Sequence, residues 1–506
     1  MFNFSRILII YAIAVVLALI LGCLVVWPNQ LTVSIIGLVL FVFSIPLWLK
    51  WHHALLIVFW NSVFLAFFLP GSPGIWLFFA GVSFVIAFLN HIMFQKSFLR
   101  APELTRPVLF LLAVILITAC VRGGIGIRSL GGSSFGGRYY LYVIGAILGY
   151  FALTSQRIAI PKQQKMAGWY FLSLTTSILS NIVYLLGPAF YILYIVVPTD
   201  AVPYQMASDY AAINVDRIAG LASACVGVFC FLLIRYGIRG LCDWEKPWRF
   251  LLLCLTFGAA FFSGFRSIVV ILAMIFCFQF YFERLLRTHF LPIFIALAVV
   301  GFSSVLLFSE HLPFSVQRAV SFLPVKVDSE VLADAKSSSD WRFQMWAMVR
   351  KEIPKYWLVG KGYVIDPDAI YAAVLAEQMQ LVHDPFEGPM LSGDFHSGPL
   401  SVIIPFGIFG VIGFLWVLIG GGRVLYSNYR YGDVKLRRVN TLLLSYYLAY
   451  CVSFFFIFGA LNSQLCVFLG VCGLSVSLNG GVKRRAGIKQ KLLPFRRPLA
   501  AQPEAA

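Results

Sequence analysis

Apolar runs long enough to cross a bilayer follow one another from Ile7 to Leu478, separated by short polar joints and by one long polar insertion at 309–397. A helix of about 20 apolar residues spans the ~30 Å hydrocarbon layer. By that measure the chain reads as an all-α, polytopic membrane helical bundle of about 14 transmembrane helices. Their approximate limits are 7–27, 31–49, 54–69, 75–93, 107–121, 139–155, 168–197, 217–235, 248–263, 267–283, 288–308, 398–420, 440–458 and 460–478. The alternating ten-residue segments of a membrane β-barrel are absent. The first run follows Arg6 and lacks a small-residue cleavage site, so it reads as a retained helix.

Composition agrees with this pattern. Of the 506 residues 60% are hydrophobic and 12% charged, against about 25% charged in soluble domains. The net charge of +18 raises the question of nucleic acid, but no basic stripe interleaves with aromatics as such a surface requires. Lys and Arg concentrate instead on alternate joints. With the N-terminus inside, the inner loops and both termini hold 26 basic residues, while the short outer loops hold only Arg122, Arg128, Arg138, Arg217 and Arg266. Cytoplasmic loops carry this excess, so both termini are expected in the cytoplasm and the 309–397 insertion outside. The basic tail 479–506 is expected to be disordered and to lie against anionic membrane lipid. Ten cysteines without a CxxC pair indicate neither a disulfide framework nor a zinc site.

The insertion carries 12 of the chain's 21 carboxylates and eight basic residues. No Asp or Glu falls in the middle of a span, which argues against a carboxylate-coupled pump. Arg266, in the turn Ser263-Gly264-Phe265-Arg266-Ser267, puts a fork of donors matched to phosphate oxygens at the outer boundary. The same position also suits an arginine that merely snorkels. The Gly-rich stretch from Arg122 to Arg138 matches no phosphate loop; it reads as a connector, or as a place where Arg122 and Arg138 meet an anion. Within the insertion, Asp340–Glu352 reads as a helix capped by one of Ser337, Ser338 and Ser339 and ended by Pro354. It sets Arg342, Trp346 and Arg350 on one face. His396 stands where the chain re-enters the membrane, and a histidine there can accept a proton from a hydroxyl. His383 is an equal candidate on composition, and spacing does not separate the two.

The order Arg342, Trp346, Pro354, Gly360, Gly362, then His396 leading into the Gly-rich run Gly407, Gly410, Gly413, resembles the O-antigen ligase and O-antigen polymerase superfamily. The Ser263-to-Ser267 turn is similar to that family's outer Ser-Arg turn. The likeness covers roughly 248–420, and departs from the family at Ser397, where Asn often follows the motif histidine. The resemblance implies a metal-independent glycosyltransferase without a cofactor, moving a glycan from undecaprenyl diphosphate on the outer face of the bacterial inner membrane. It implies a lipid-linked glycan donor and, as acceptor, another surface-polysaccharide repeat or the lipid A core of lipopolysaccharide. It assigns His396 as base and Arg266 and Arg342 to the diphosphate; helix geometry adds Arg350, with His383, Arg122 and Arg138 as weaker candidates. The chain then divides into N-terminal spans (1–247), a ligase-like core (248–420), C-terminal spans (421–478) and the tail. A flippase or exporter of lipid-linked oligosaccharide is the alternative that the span count also suits.

Overall fold

The structure is a computed structural model that describes residues 22, 30–126, 136–199, 217–365, 368, 371, 375, 386, 390, 393 and 395–484, with side chains from Phe43 onward. Among the described residues 77% are helical and none forms a strand. In order the helices are α1 Gln30–Phe59, α2 Ile75–Phe94, α3 Pro102–Arg122, α4 Gly137–Leu153, α5 Gln163–Leu172, α6 Ile178–Leu186, α7 Ala219–Leu241, α8 Trp248–Phe262, α9 Arg266–Phe282, α10 Phe290–Phe308, α11 Phe314–Val320, α12 Ser329–Tyr356, α13 Gly398–Tyr431, α14 Arg437–Phe456 and α15 Leu461–Asn479.

Eight helical stretches among the described residues are long and apolar enough to cross a membrane, and Phe43–Phe59, Trp248–Phe262 and Arg266–Phe282 are shorter apolar helices. The expected count of about 14 is not reached among these residues, and the predicted span 7–27 lies outside them. Two joints were misplaced. The expected break near residue 50 is absent: α1 runs on to Phe59. The polar pair that signalled a loop is buried instead, with His52 Nδ1 2.7 Å from Ser83 Oγ and His53 Nε2 2.9 Å from the Leu153 carbonyl. The span expected at 168–197 instead follows Ile160–Leu186, and Gly187-Pro188 turns the chain into a separate 3-10 segment. A proline supplies no N–H to continue the ladder.

One large core joins α4 to α15, α3 to α13, and α9 and α7 to α14. Outside it, apolar side chains face outward: Leu307 is 76% exposed and Phe456 80%. None of the apolar window of Phe290–His311 is buried. In lipid such a surface is the solvated one, because hydrocarbon tails are as apolar as leucine.

The central irregularity is a break in α13. Gly407 takes φ +59 inside the helix, just after Pro405. The strand-like turn that follows α12 plugs the gap: Lys361 N–H donates to the Ile404 carbonyl at 2.8 Å, Gly362 N–H to Pro405 at 2.9 Å, and Ile408 N–H to Trp357 at 2.8 Å. Unwound backbone at membrane depth survives only where protein satisfies its polar groups, and these bonds do so. A Cβ on Gly360, which has φ +79, would sit 2.2 Å from the Pro405 carbonyl oxygen. This close approach is the physical reason for the Gly360–Gly362 pair.

Candidate functional site

The polar insertion contributes α12, which packs against α13 and α11. It is longer than expected. It starts at Ser329 rather than near Asp340, and its cap is Asp328, whose carboxylate accepts the Glu330 N–H at 2.9 Å, not one of the three serines. Pro354 sits inside it without ending it. Its inner face repeats at helical spacing through Val331, Ala335, Met345 and Val349. The last two join Phe395, Leu400 and Ile404 in a small second core, separate from the main one. Trp346 fixes the register by donating its indole N–H to the Phe395 carbonyl at 2.9 Å.

That register presents His396. Its ring lies between Trp341 of α12 and Phe458 of the α14–α15 connection, edge-on to each, with centroids 5.4 and 5.2 Å apart. His396 has φ +50, in the left-handed region that a side chain rarely adopts. Such strain, on the order of 1–3 kcal/mol, clusters at working sites. It turns the chain sharply into α13, whose N-terminus begins two residues later.

At the other end of α12 three arginines meet one carboxylate. Arg217 Nη2 donates to both oxygens of Asp334 at 2.9 and 3.0 Å. Arg318 Nε donates to Asp334 Oδ2 at 2.5 Å, and its Nη1 to the Gly264 carbonyl at 2.8 Å. Arg266 Nη2 donates to the Ala335 carbonyl at 3.3 Å. Arg318 is only 4% exposed. Burial, then the charge of Arg217, pushes its guanidinium below the ordinary arginine value. For Asp334 burial acts upward, but the hydrogen bonds and charges of Arg318 and Arg217 outweigh it and hold the carboxyl below the usual carboxylate range. Desolvating three like charges around a single counter-ion is costly. The cluster thus carries three cations against one carboxylate.

α12 ties the two halves together. Six residues separate Ala335, held by Arg266, from Trp341, which flanks His396, a rise of about 9 Å. Arg342 follows Trp341 on the same turn and is partly buried. The structure thus brings Arg266 and His396 against α12, which itself bears Arg342. It does not gather the other candidates there. Arg350 is exposed and bonds back to the Trp346 carbonyl at 3.3 Å. Arg122 donates to the Gly360 carbonyl at 2.9 Å, supporting the turn that plugs α13. Arg138 is at the surface beside the Tyr142 ring, 5.5 Å from its centroid. His383 lies outside the described residues.

Sequence reading missed Arg217, Arg318 and Asp334. It passed over the carboxylates of the insertion as solvated surface. A signal was present for Arg318: it is the lone charge of the stretch 312–325, and a charge that becomes buried there needs a partner.

Residues 250–415 match the family described as O-antigen ligase. Over that segment, less than half of its length, the chain is similar to the O-antigen ligase family. The match takes in the Arg266 turn, the three-arginine cluster except Arg217, all of α12, His396 and the break in α13. No curated protein matches the chain.

Proposed function

We propose, starting from that match, that this chain is a glycosyltransferase of the bacterial inner membrane that moves a glycan from a polyprenyl diphosphate to an acceptor hydroxyl on the outer face. The observation that carries the reading is that one helix, α12, touches a strained histidine at Trp341 and an arginine cluster at Asp334 and Ala335, positions about 9 Å of helix rise apart. His396 takes the proton of the acceptor hydroxyl as its oxygen attacks the anomeric carbon. The bond from that carbon to the diphosphate oxygen breaks, and the leaving diphosphate keeps the electron pair. Arg266 and Arg342 hold the diphosphate, and the cluster behind Arg266 stabilises the charge that develops on it. Preorganised donors aimed at developing charge are worth about 100- to 1,000-fold in rate each. The ring contacts of Trp341 and Phe458 keep the imidazole from rotating away.

The test uses purified protein in lipid with a polyprenyl-diphosphate-linked glycan and a candidate acceptor, either a second repeat unit or lipid A core. Release of free polyprenyl diphosphate together with glycan-bearing acceptor is expected from the wild type. His396→Ala should stay in the membrane and release none. Passage of the intact lipid-linked glycan across the bilayer, with no diphosphate released, would instead establish the flippase reading. Which acceptor takes the glycan separates a polymerase from a ligase.

A further inference from the structure

α7, α9, α13 and α14 each run from the His396–Arg266 end to the opposite end of the bundle, α9 covering about 25 Å in its 17 residues. At that opposite end, which the basic-residue count assigns to the cytoplasm, they enclose two adjoining cavities of 440 and 240 Å³ that share Arg284 and Arg437. Five arginines line them: Arg239 from α7, Arg284 after α9, Arg430 near the end of α13, and Arg437 and Arg438 at the start of α14.

The lining holds one acid, Glu283, and its carboxylate is already engaged. It accepts the Ile238 N–H at 3.1 and 3.2 Å, where α7 breaks at Gly237, and the Gln279 side-chain N–H at 2.6 Å. Arg438 gives one N–H to the Arg235 carbonyl at 3.4 Å. Arg284 holds a left-handed backbone, φ +59, at the close of α9. The nearby Arg249 is committed elsewhere: it lies 4.3 Å from the Tyr236 ring and 5.6 Å from the Trp248 ring, with Asp243 at 3.7 Å. Five cations from four separate chain segments thus converge on one concavity, whereas an inside excess of Lys and Arg needs only to be scattered over the loops.

We propose that this concavity is a binding site for a phosphate-bearing anion, with the headgroup of an anionic phospholipid as its source. Guanidinium forks match phosphate oxygens, and basic pockets between helices on the cytoplasmic side take such headgroups. Depth favours the lipid. Tyr236 and Tyr429 line the cavities, and Trp248, its ring 6.1 Å from that of Tyr236, is exposed. Tyr and Trp collect at the level of the headgroups. The site is distinct from the diphosphate cluster, being at the far end of the same helices.

Native mass spectrometry of the full chain, released from mixed micelles of dioleoylphosphatidylglycerol and dioleoylphosphatidylcholine, reads the retained lipid. The wild type is expected to keep phosphatidylglycerol in preference. Each arginine removed should lower that retention about fivefold, and the Arg284→Gln/Arg437→Gln pair about thirtyfold. Arg287→Gln, an exposed neighbour outside the lining, should leave it unchanged. Arg239→Gln/Arg438→Gln, on the facing wall, is read in parallel so that misfolding of the first pair does not decide the matter. Inorganic pyrophosphate is the second probe. If it displaces the lipid and stabilises lipid-free protein only while these arginines are present, the same site serves a soluble phosphate anion. Equal retention of the two lipids with no response to pyrophosphate, or well-folded double variants that match the wild type, overturns the proposal.

Discussion

The two ends of the bundle use arginine in opposite ways. At the α12 end Arg318 is buried and locked against Asp334, with Arg217 on the same carboxylate. At the far end Arg239, Arg284, Arg430, Arg437 and Arg438 are exposed around an open cavity. A guanidinium stripped of water must be paired and hydrogen-bonded, so each of its contacts becomes structural. A hydrated one contributes little to stability and keeps its donors available. The same residue type therefore builds a rigid site at one end and an adaptable surface at the other.

The largest expected effect tests that contrast directly. Asp334→Ala leaves Arg318 buried beside Arg217 without its counter-ion, and should cost about 3 kcal/mol, the lower end of the range for breaking a buried pair. Asp243→Ala, which removes the partner of Arg249 in a looser pair at 3.7 Å whose carboxylate is 36% exposed, should cost less than about 1 kcal/mol. Thermal unfolding in one detergent compares them, and equal losses would remove the distinction between the ends.

Next in size is the effect on transfer. Arg342→Ala should reduce glycan transfer about 100-fold, the scale for losing one preorganised donor. Arg350→Ala, on the exposed face, should change it less than about fivefold, the limit for a surface charge worth under 1 kcal/mol. If Arg350 proves the more sensitive, the sequence-based grouping of Arg342, Trp346 and Arg350 on one working face is restored.

Gly360→Ala should destabilise the protein by roughly 1–3 kcal/mol or more, combining backbone strain with a Cβ 2.2 Å from the Pro405 oxygen. Gly123→Ala has the same φ of +79 but meets nothing within 4 Å. It should lose only the strain, and the difference measures how tightly the turn plugs α13.

The smallest effect is in pH. The carboxyl of Asp334 is depressed when folded, so its stabilisation is complete above the unfolded value, ~3.9. It is lost as pH falls through the folded value. The Asp334→Ala variant should lack that acid limb in a pH series of melting temperatures.

How far the site was legible follows from how local each signal is. Arg266, Arg342 and His396 were singled out because each belongs to a short pattern of residues near in sequence. Asp334 could not be told from the other carboxylates of the insertion, since its partners come from residues 217 and 318. The start of α12 was placed near Asp340 because the polar segment before it lacks an apolar stripe that stands out. The cap at Asp328 is held by the side chain of Gln317, which accepts its N–H at 2.8 Å, and that contact comes from a different helix.

By itself the sequence determined that this is an all-helical membrane protein with one polar insertion, because a lipid environment admits only self-satisfied helices and sorts residues by burial in hydrocarbon. It determined also which glycines, arginines and histidine carry the ligase pattern. Tertiary structure alone decided which charges are buried, which helix continues through a polar stretch, and that α13 breaks to receive a turn. Those outcomes depend on partners far along the chain, and desolvation makes the presence or absence of each partner decisive.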